Sequence, residues 1–213
     1  LFILGEPKRR DVMNNLFAKF GYEMTTGVLV KRDTNLQADV ILSYPTKEAA
    51  DSIAYDFGFM RRRRMVITTP STAGLEQIAD KGYTVTNMFT TDTIGVWNEL
   101  ETTDFLDGEL SINEAIGEKE ASYPIVLALT CQRGAKEQRI VIAGDADCIS
   151  NTELANSRNG IFAVNFDFIS ETFKWLSYGE FPIETSRPEA IDNTIFLTRK
   201  ATPWIKAFSL GVI

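Results

Sequence analysis

An unbroken apolar run at residues 140–143 (IVIA) meets Gly144, then Asp145 and Asp147, two carboxylates two residues apart, then a helix-start pattern at Ser150-Asn151. Nothing else in the chain constrains its fold as tightly. A strand with no polar residue on either side of its pleat has to be covered on both faces. Open α/β sheets carry functional residues just past the carboxyl ends of such strands, which places Asp145 and Asp147 at the expected site edge.

The elements before this segment read in the same style. Residues 1–4 form a short buried strand. Pro7 opens a helix with Val12, Met13, Leu16, Phe17 and Phe20 at helical spacing and Gly21 just past its end. Short β-type runs follow at 27–30 and 39–43. Thr46 can cap a helix whose inward stripe is Ala50, Ile53, Ala54 and Phe57; residues 65–68 read as a strand and 71–79 as another helix. Residues 125–131 and 138–143 pair as an antiparallel hairpin around 132–137. This order predicts one α/β domain over 1–180, an open, doubly wound, mainly parallel sheet with helices on both faces and right-handed crossovers, plus that hairpin.

Residues 82–122 break the rhythm. Threonines, acids and the isolated aromatics Phe89, Trp97 and Phe105 appear without a sustained period, and the stretch is too short for a core of its own. It reads as an excursion, either a solvated loop or a polar lip on which Trp97 stacks against a sugar or peptide. Downstream, Ser150-Asn151-Thr152-Glu153 fits a capping box. A helix over about 160–177 has Phe162, Phe166, Ile169, Phe173 and Leu176 along one face, widened by Phe168 and Trp175. Pro182 and Pro188 punctuate a linker, 194–197 can add an edge strand, and 181–213 ends in a membrane-proximal segment.

Composition excludes whole classes of function. The chain of 213 residues has 44% apolar and 24% charged residues, as an ordinary globule does. Its net charge of −7 argues against a nucleic-acid partner. Histidine is absent, so a Ser–His or Cys–His nucleophilic centre is impossible within the chain. No glycine spacing fits a dinucleotide or phosphate loop, and no serine stands in a nucleophile elbow or an S-x-x-K dyad. In the hairpin register Cys131 faces Gln138 while Cys148 lies past the other end, so the two cysteines do not bridge.

The candidate contacts divide as follows. Asp145 and Asp147 either accept backbone N–H bonds from the turn and the next helix start, or hold a divalent cation, or face another ligand. The details of a phosphatase D-x-D and of an EF-hand loop are both missing, because Cys148, Ile149 and Ser150 stand where those sites need other residues. Ser71, between a strand and the expected helix, reads as a helix cap. Arg61, Arg62, Arg63 and Arg64 form the longest basic run, either a solvated helix end or a contact for acidic lipid headgroups or an acidic partner. The opening LFILGEPKRR lacks methionine and any signal-peptide pattern and reads as a fragment or processed product. At the other end, Thr202-Pro203 precedes WIKAFSLGVI, which is uncharged after Lys206. It is either a last amphipathic helix or the first turns of a membrane helix with Trp204 and Lys206 at the interface.

The segments TKEAADSIAYDFG, WNELETTDF, YPIVLAL and RIVIAGDADCISN, over most of 39–213, resemble the auxiliary (gliding-motility-type) subunit family of bacterial ABC-2 transport systems. The resemblance implies an extracytoplasmic domain with a class I glutamine amidotransferase-like (flavodoxin-like) fold that has lost its catalytic residues. In that fold the nucleophile is a cysteine at an elbow, and neither Cys131 nor Cys148 stands in such a context. It further implies a non-catalytic protein without cofactor that binds a partner subunit or cargo. Permease and ATPase subunits come from other chains or domains. The domain faces the periplasm, anchored in the inner membrane by a helix continuing beyond Ile213. The expected contacts are Asp145, Asp147, Ser150, Asn151, Trp97, Ser71, Arg61 and Arg62. Two other readings stay open: a metal-dependent hydrolase using Asp145 and Asp147, and a carbohydrate-binding module using Trp97.

Overall fold

The computed structural model describes residues 1–32, 36–102, 105, 110–181, 203, 204 and 206. The chain divides into two compact units, Leu1–Pro182 and Ile183–Ile213. In the second unit Pro203, Trp204 and Lys206 are helical. The linker prolines, the edge strand at 194–197 and the apolar end after Lys206 lie outside the described residues. No helix among the described residues is long and apolar enough to cross a membrane.

The strands are β1 (Phe2–Leu4), β2 (Tyr22–Met24), β3 (Val28–Lys31), β4 (Val40–Pro45), β5 (Ile67–Pro70), β6 (Leu75–Gln77), β7 (Thr84–Thr91), β8 (Val96–Glu99), β9 (Pro124–Arg133) and β10 (Lys136–Ala143). The helices are α1 (Arg10–Phe17), α2 (Lys47–Ser52), α3 (Tyr55–Arg62), α4 (Asn151–Ala155) and α5 (Asn165–Leu176). Six strands form one sheet in the order β1-β10-β9-β7-β4-β5, while β2/β6 and β3/β8 make small two-stranded sheets.

This architecture corrects the doubly wound expectation. Within the large sheet only β1 and β10 run parallel; the other four pairings are antiparallel. The fold is mainly β, with five short helices among the described residues, and it is not a parallel sheet wound by helices on both faces. Two local facts explain the difference. Residues 84–91, expected to lie in an excursion, form β7 at the centre of the sheet, and their threonines are good β-formers that read as polar. A bulge at Met88 turns both Met88 and Phe89 fully inward, which hides the period of two. Residues 71–79, expected to be helical, contain β6 instead, paired antiparallel with β2.

The hairpin forms in the expected register, but its connection is shorter than the expected 132–137, since β9 runs to Arg133 and β10 starts at Lys136. Gly134, at φ 65°, sits in the two-residue connection between β9 and β10, and Cys131 pairs opposite Gln138. The register sorts β9 and β10 into two apolar faces. Val126, Ala128, Val141 and Ala143, with Phe89, pack against Phe57, Phe168 and Trp175 from α3 and α5. Leu127, Leu129, Ile140 and Ile142 pack with Phe17, Tyr22, Met24 and Leu75. Phe57, Phe89 and Phe168 meet edge to face, with centroids 5.3 and 5.2 Å apart.

Two helices differ from expectation in detail. Thr46 caps α2 by accepting the Ala49 N–H at 3.0 Å, but extended Ala54 (φ −148°, ψ 128°) breaks the segment into α2 and α3. In α5 the buried positions are Asn165, Phe168, Thr172 and Trp175. The expected stripe sits on its flank: Phe166 is 69% exposed, Phe173 is 42% exposed, and Phe162 lies before the helix.

Candidate functional site

β10 delivers the acidic turn through Gly144. A Cβ there would lie 2.0 Å from the Ala73 carbonyl oxygen, so backbone meets backbone and no side chain fits. The Gly144 N–H donates to Ile125 O at 2.9 Å, and its carbonyl accepts from Ala73 N at 3.4 Å. Gly144→Ala is expected to cost about 1–3 kcal/mol, toward the upper end because neither partner is a movable side chain. The measurement is the shift in the urea unfolding midpoint. An unchanged midpoint would show that the approach of the 71–74 loop is not required.

Asp145 is buried and Asp147 exposed, so the two carboxylates part rather than converge. Asp145 Oδ1 accepts the Asp147 N–H at 2.7 Å and Oδ2 accepts the Cys148 N–H at 2.9 Å, capping the 3₁₀ turn Asp147–Ile149. Burial pushes the Asp145 carboxyl up to about 7; the Asp147 N–H bond opposes this, and the charge of Asp147 adds to it. Burial also pushes the Cys148 thiol up, which keeps it protonated, and its Sγ donates to Asp145 O at 3.3 Å. Both cysteines are free.

Ser150 caps α4 by accepting the Glu153 N–H at 3.1 Å, and Asn151 is the exposed first residue of that helix. Only half of the expected capping box forms, because the Glu153 side chain turns inward instead. Glu153, 6% exposed, binds Arg158 through both oxygens, with Nη2 to Oε2 at 2.9 Å, and accepts the Thr68 hydroxyl. Asn165 completes the network. Its Oδ1 accepts the Thr68 N–H at 3.0 Å, while its Nδ2 donates to Thr68 O at 2.8 Å and to Cys148 O at 2.7 Å. One side-chain amide thus satisfies the outer edge of β5 as a neighbouring strand would.

Arg158 lies in the wall of an open groove of about 800 Å³. Val40, Leu42 and Ile161 give the groove apolar surface, and Gln37, Asn156 and Asn159 contribute amides. Those three side-chain amides have no hydrogen-bond partner among the described residues. The arrangement offers a neutral, hydrogen-bonding surface, since the Arg158 charge is already met by Glu153. Comparison with protein-family models, curated proteins and solved structures finds no match.

The other sequence-predicted contacts are dispersed. Trp97 is 4% exposed and its Nε1 donates to Glu99 Oε2 at 3.2 Å, so it is no stacking lip. Ser71 caps no helix. It sits at φ 52° and donates its hydroxyl to Asp39 Oδ2 at 2.5 Å, while buried Asp39 Oδ1 has no partner among the described residues. Arg61 and Arg62 end α3, both exposed. Oxygens of Glu99, Glu101 and Glu118 lie within 4.8 Å of one another. The buried pair is already occupied: Glu99 accepts from Trp97, Glu101 and Thr102, and Glu118 from Leu100 and Asn113. Glu153, Arg158, Thr68 and Asn165 were not foreseen. Glu153 was readable as a capping residue, but nothing in the spacing of Arg158 marks it as a partner.

Proposed function

We propose that this chain is a non-catalytic auxiliary domain of an ABC-2-type transport system, held at the inner membrane on the periplasmic side. In this reading it binds a partner subunit or cargo through the groove beside Arg158. One observation carries the binding reading. The Asp145 carboxylate is consumed internally, with both oxygens on backbone N–H groups, and Glu153 is held by Arg158, while the amides of Gln37, Asn156 and Asn159 line the groove with no partner among the described residues. The resemblance of the four quoted segments supports the transport setting. Apolar walls with a few placed amides suit a neutral polar ligand surface.

The test is binding of the chain to the reconstituted permease and ATPase subunits of its own transport system. Asn156→Arg with Asn159→Arg fills the groove and adds charge, and is expected to weaken association about tenfold or more, or roughly 1.4 kcal/mol. Equal affinity for the variant, with the same unfolding midpoint as the wild type, would remove the groove from the account.

A further inference from the structure

Arg61, Arg62, Arg63 and Arg64 are all exposed in a chain whose net charge is −7. The ion pairs among the described residues use Lys31, Lys47, Arg139, Arg158 and Lys174, and none of these four arginines. Arg61 and Arg62 occupy the last turn of α3, where the helix dipole favours cations. Arg63 stacks over Phe59 at 5.6 Å and Arg64 over Tyr44 at 5.5 Å. Phe59 is nonetheless 44% exposed.

The chain then brings a second aromatic alongside. Val66 bridges Ala163 in parallel register and donates its N–H to Phe162 O at 3.1 Å, and Phe162 is 71% exposed. An exposed phenylalanine within α3 and a second one, joined through its backbone to Val66 two residues past Arg64, thus accompany a run of four cations with no carboxylate partner among the described residues.

We propose that this face docks on an anionic lipid bilayer. Arginine side chains reach the headgroup phosphates while Phe59 and Phe162 enter the acyl boundary, the division of labour that interfacial segments use. An acidic protein partner would be met by cations held in a fixed geometry; Arg61 and Arg62 have no such fixing contact. The acidic remainder of the chain does not prevent docking, because charges beyond a Debye length of about 8 Å are screened at physiological salt. This inference is independent of the groove.

The experiment is co-sedimentation of the full 213-residue chain with phosphatidylcholine vesicles and with vesicles containing about a third phosphatidylglycerol. The readout is the ratio of anionic to neutral partition, which cancels apolar attachment through the C-terminal segment, and the charge-reversed variant below separates Arg61 and Arg62 from the cations of that segment, Arg199, Lys200 and Lys206. Each arginine near such a surface is worth about fivefold. Arg61→Glu with Arg62→Glu is therefore expected to lower the ratio at least about tenfold, and high salt to do the same. Phe162→Ser is expected to lower partition onto the anionic vesicles while leaving the unfolding midpoint in place. A ratio near one for the wild type, or the same ratio for the charge-reversed variant, overturns the proposal. Binding to an acidic protein with no preference for anionic vesicles also overturns it.

Discussion

Arg158→Ala is expected to lower the unfolding free energy by about 3–5 kcal/mol, because it leaves the Glu153 carboxylate buried without its cation. Glu153 is 6% exposed, and the remaining donor to its side chain is the Thr68 hydroxyl. A hydroxyl compensates an ionised carboxylate poorly in a low-dielectric interior. The companion variant Glu153→Leu/Arg158→Met removes both charges and is expected to recover most of the loss, since an apolar pair of similar volume avoids desolvation. Thr68 keeps a partner in that variant, because Asn165 Oδ1 lies 3.3 Å from its hydroxyl. Urea unfolding of the two variants beside the wild type checks both statements. A loss below about 1 kcal/mol for Arg158→Ala would mean the pair behaves as a surface ion pair.

The second large effect is a pH dependence centred on Asp145. Its carboxyl is raised to about 7 by burial, with Asp147 and Glu6 pushing the same way and backbone N–H bonds from Asp147 and Cys148 opposing. Between about pH 4 and about pH 7 the folded chain holds a proton that the unfolded chain has released. Stability from this group is therefore complete below the unfolded value and is lost as pH rises through the folded one. The loss is on the order of 4 kcal/mol at most. Asp145→Asn removes the titration. The stability difference between wild type and variant is expected to shrink steadily across that window, measured as urea midpoints at each pH. A difference that stays flat, or grows with pH, contradicts the assignment.

How far the sequence was legible follows from what periodicity records. The runs YPIVLAL and RIVIA announce strands covered on both faces, and β9 and β10 are covered that way. Such runs say nothing about strand direction. An antiparallel sheet packed on both sides looks the same as a parallel one, and that ambiguity produced the doubly wound expectation. The hairpin register was readable because the expected connection at 132–137 and the tighter turn at 134–135 share one centre, while the polar residues Gln132, Arg133, Lys136 and Glu137 hid how far the strands continue. β7 was missed because TVTNMFTT carries threonines where the pattern asks for apolar residues and a bulge where it asks for alternation. In α5 an apolar stripe named the wrong face, since Asn165 and Thr172 face inward and Asn165 is spent on the edge of β5. Trp97 looked free because the acceptor that makes its burial tolerable, Glu99, is a charged residue two positions on.

Asp145 illustrates the same limit from the side of chemistry. Its position at a strand end was legible, and so was the option that it caps a turn; what a sequence does not record is which oxygen meets which N–H. The account depends on that local wiring, with the acidic turn serving as a structural junction beside a binding groove. Carboxyl-carbon NMR of Asp145 from about pH 3 to about pH 9, with and without Mn²⁺, tests it most directly. The predicted result is one midpoint near 7, mirrored by the amide protons of Asp147 and Cys148 and unbroadened by the ion. A midpoint in the ordinary carboxylate range with strong Mn²⁺ broadening would make the turn a metal site and contradict the account.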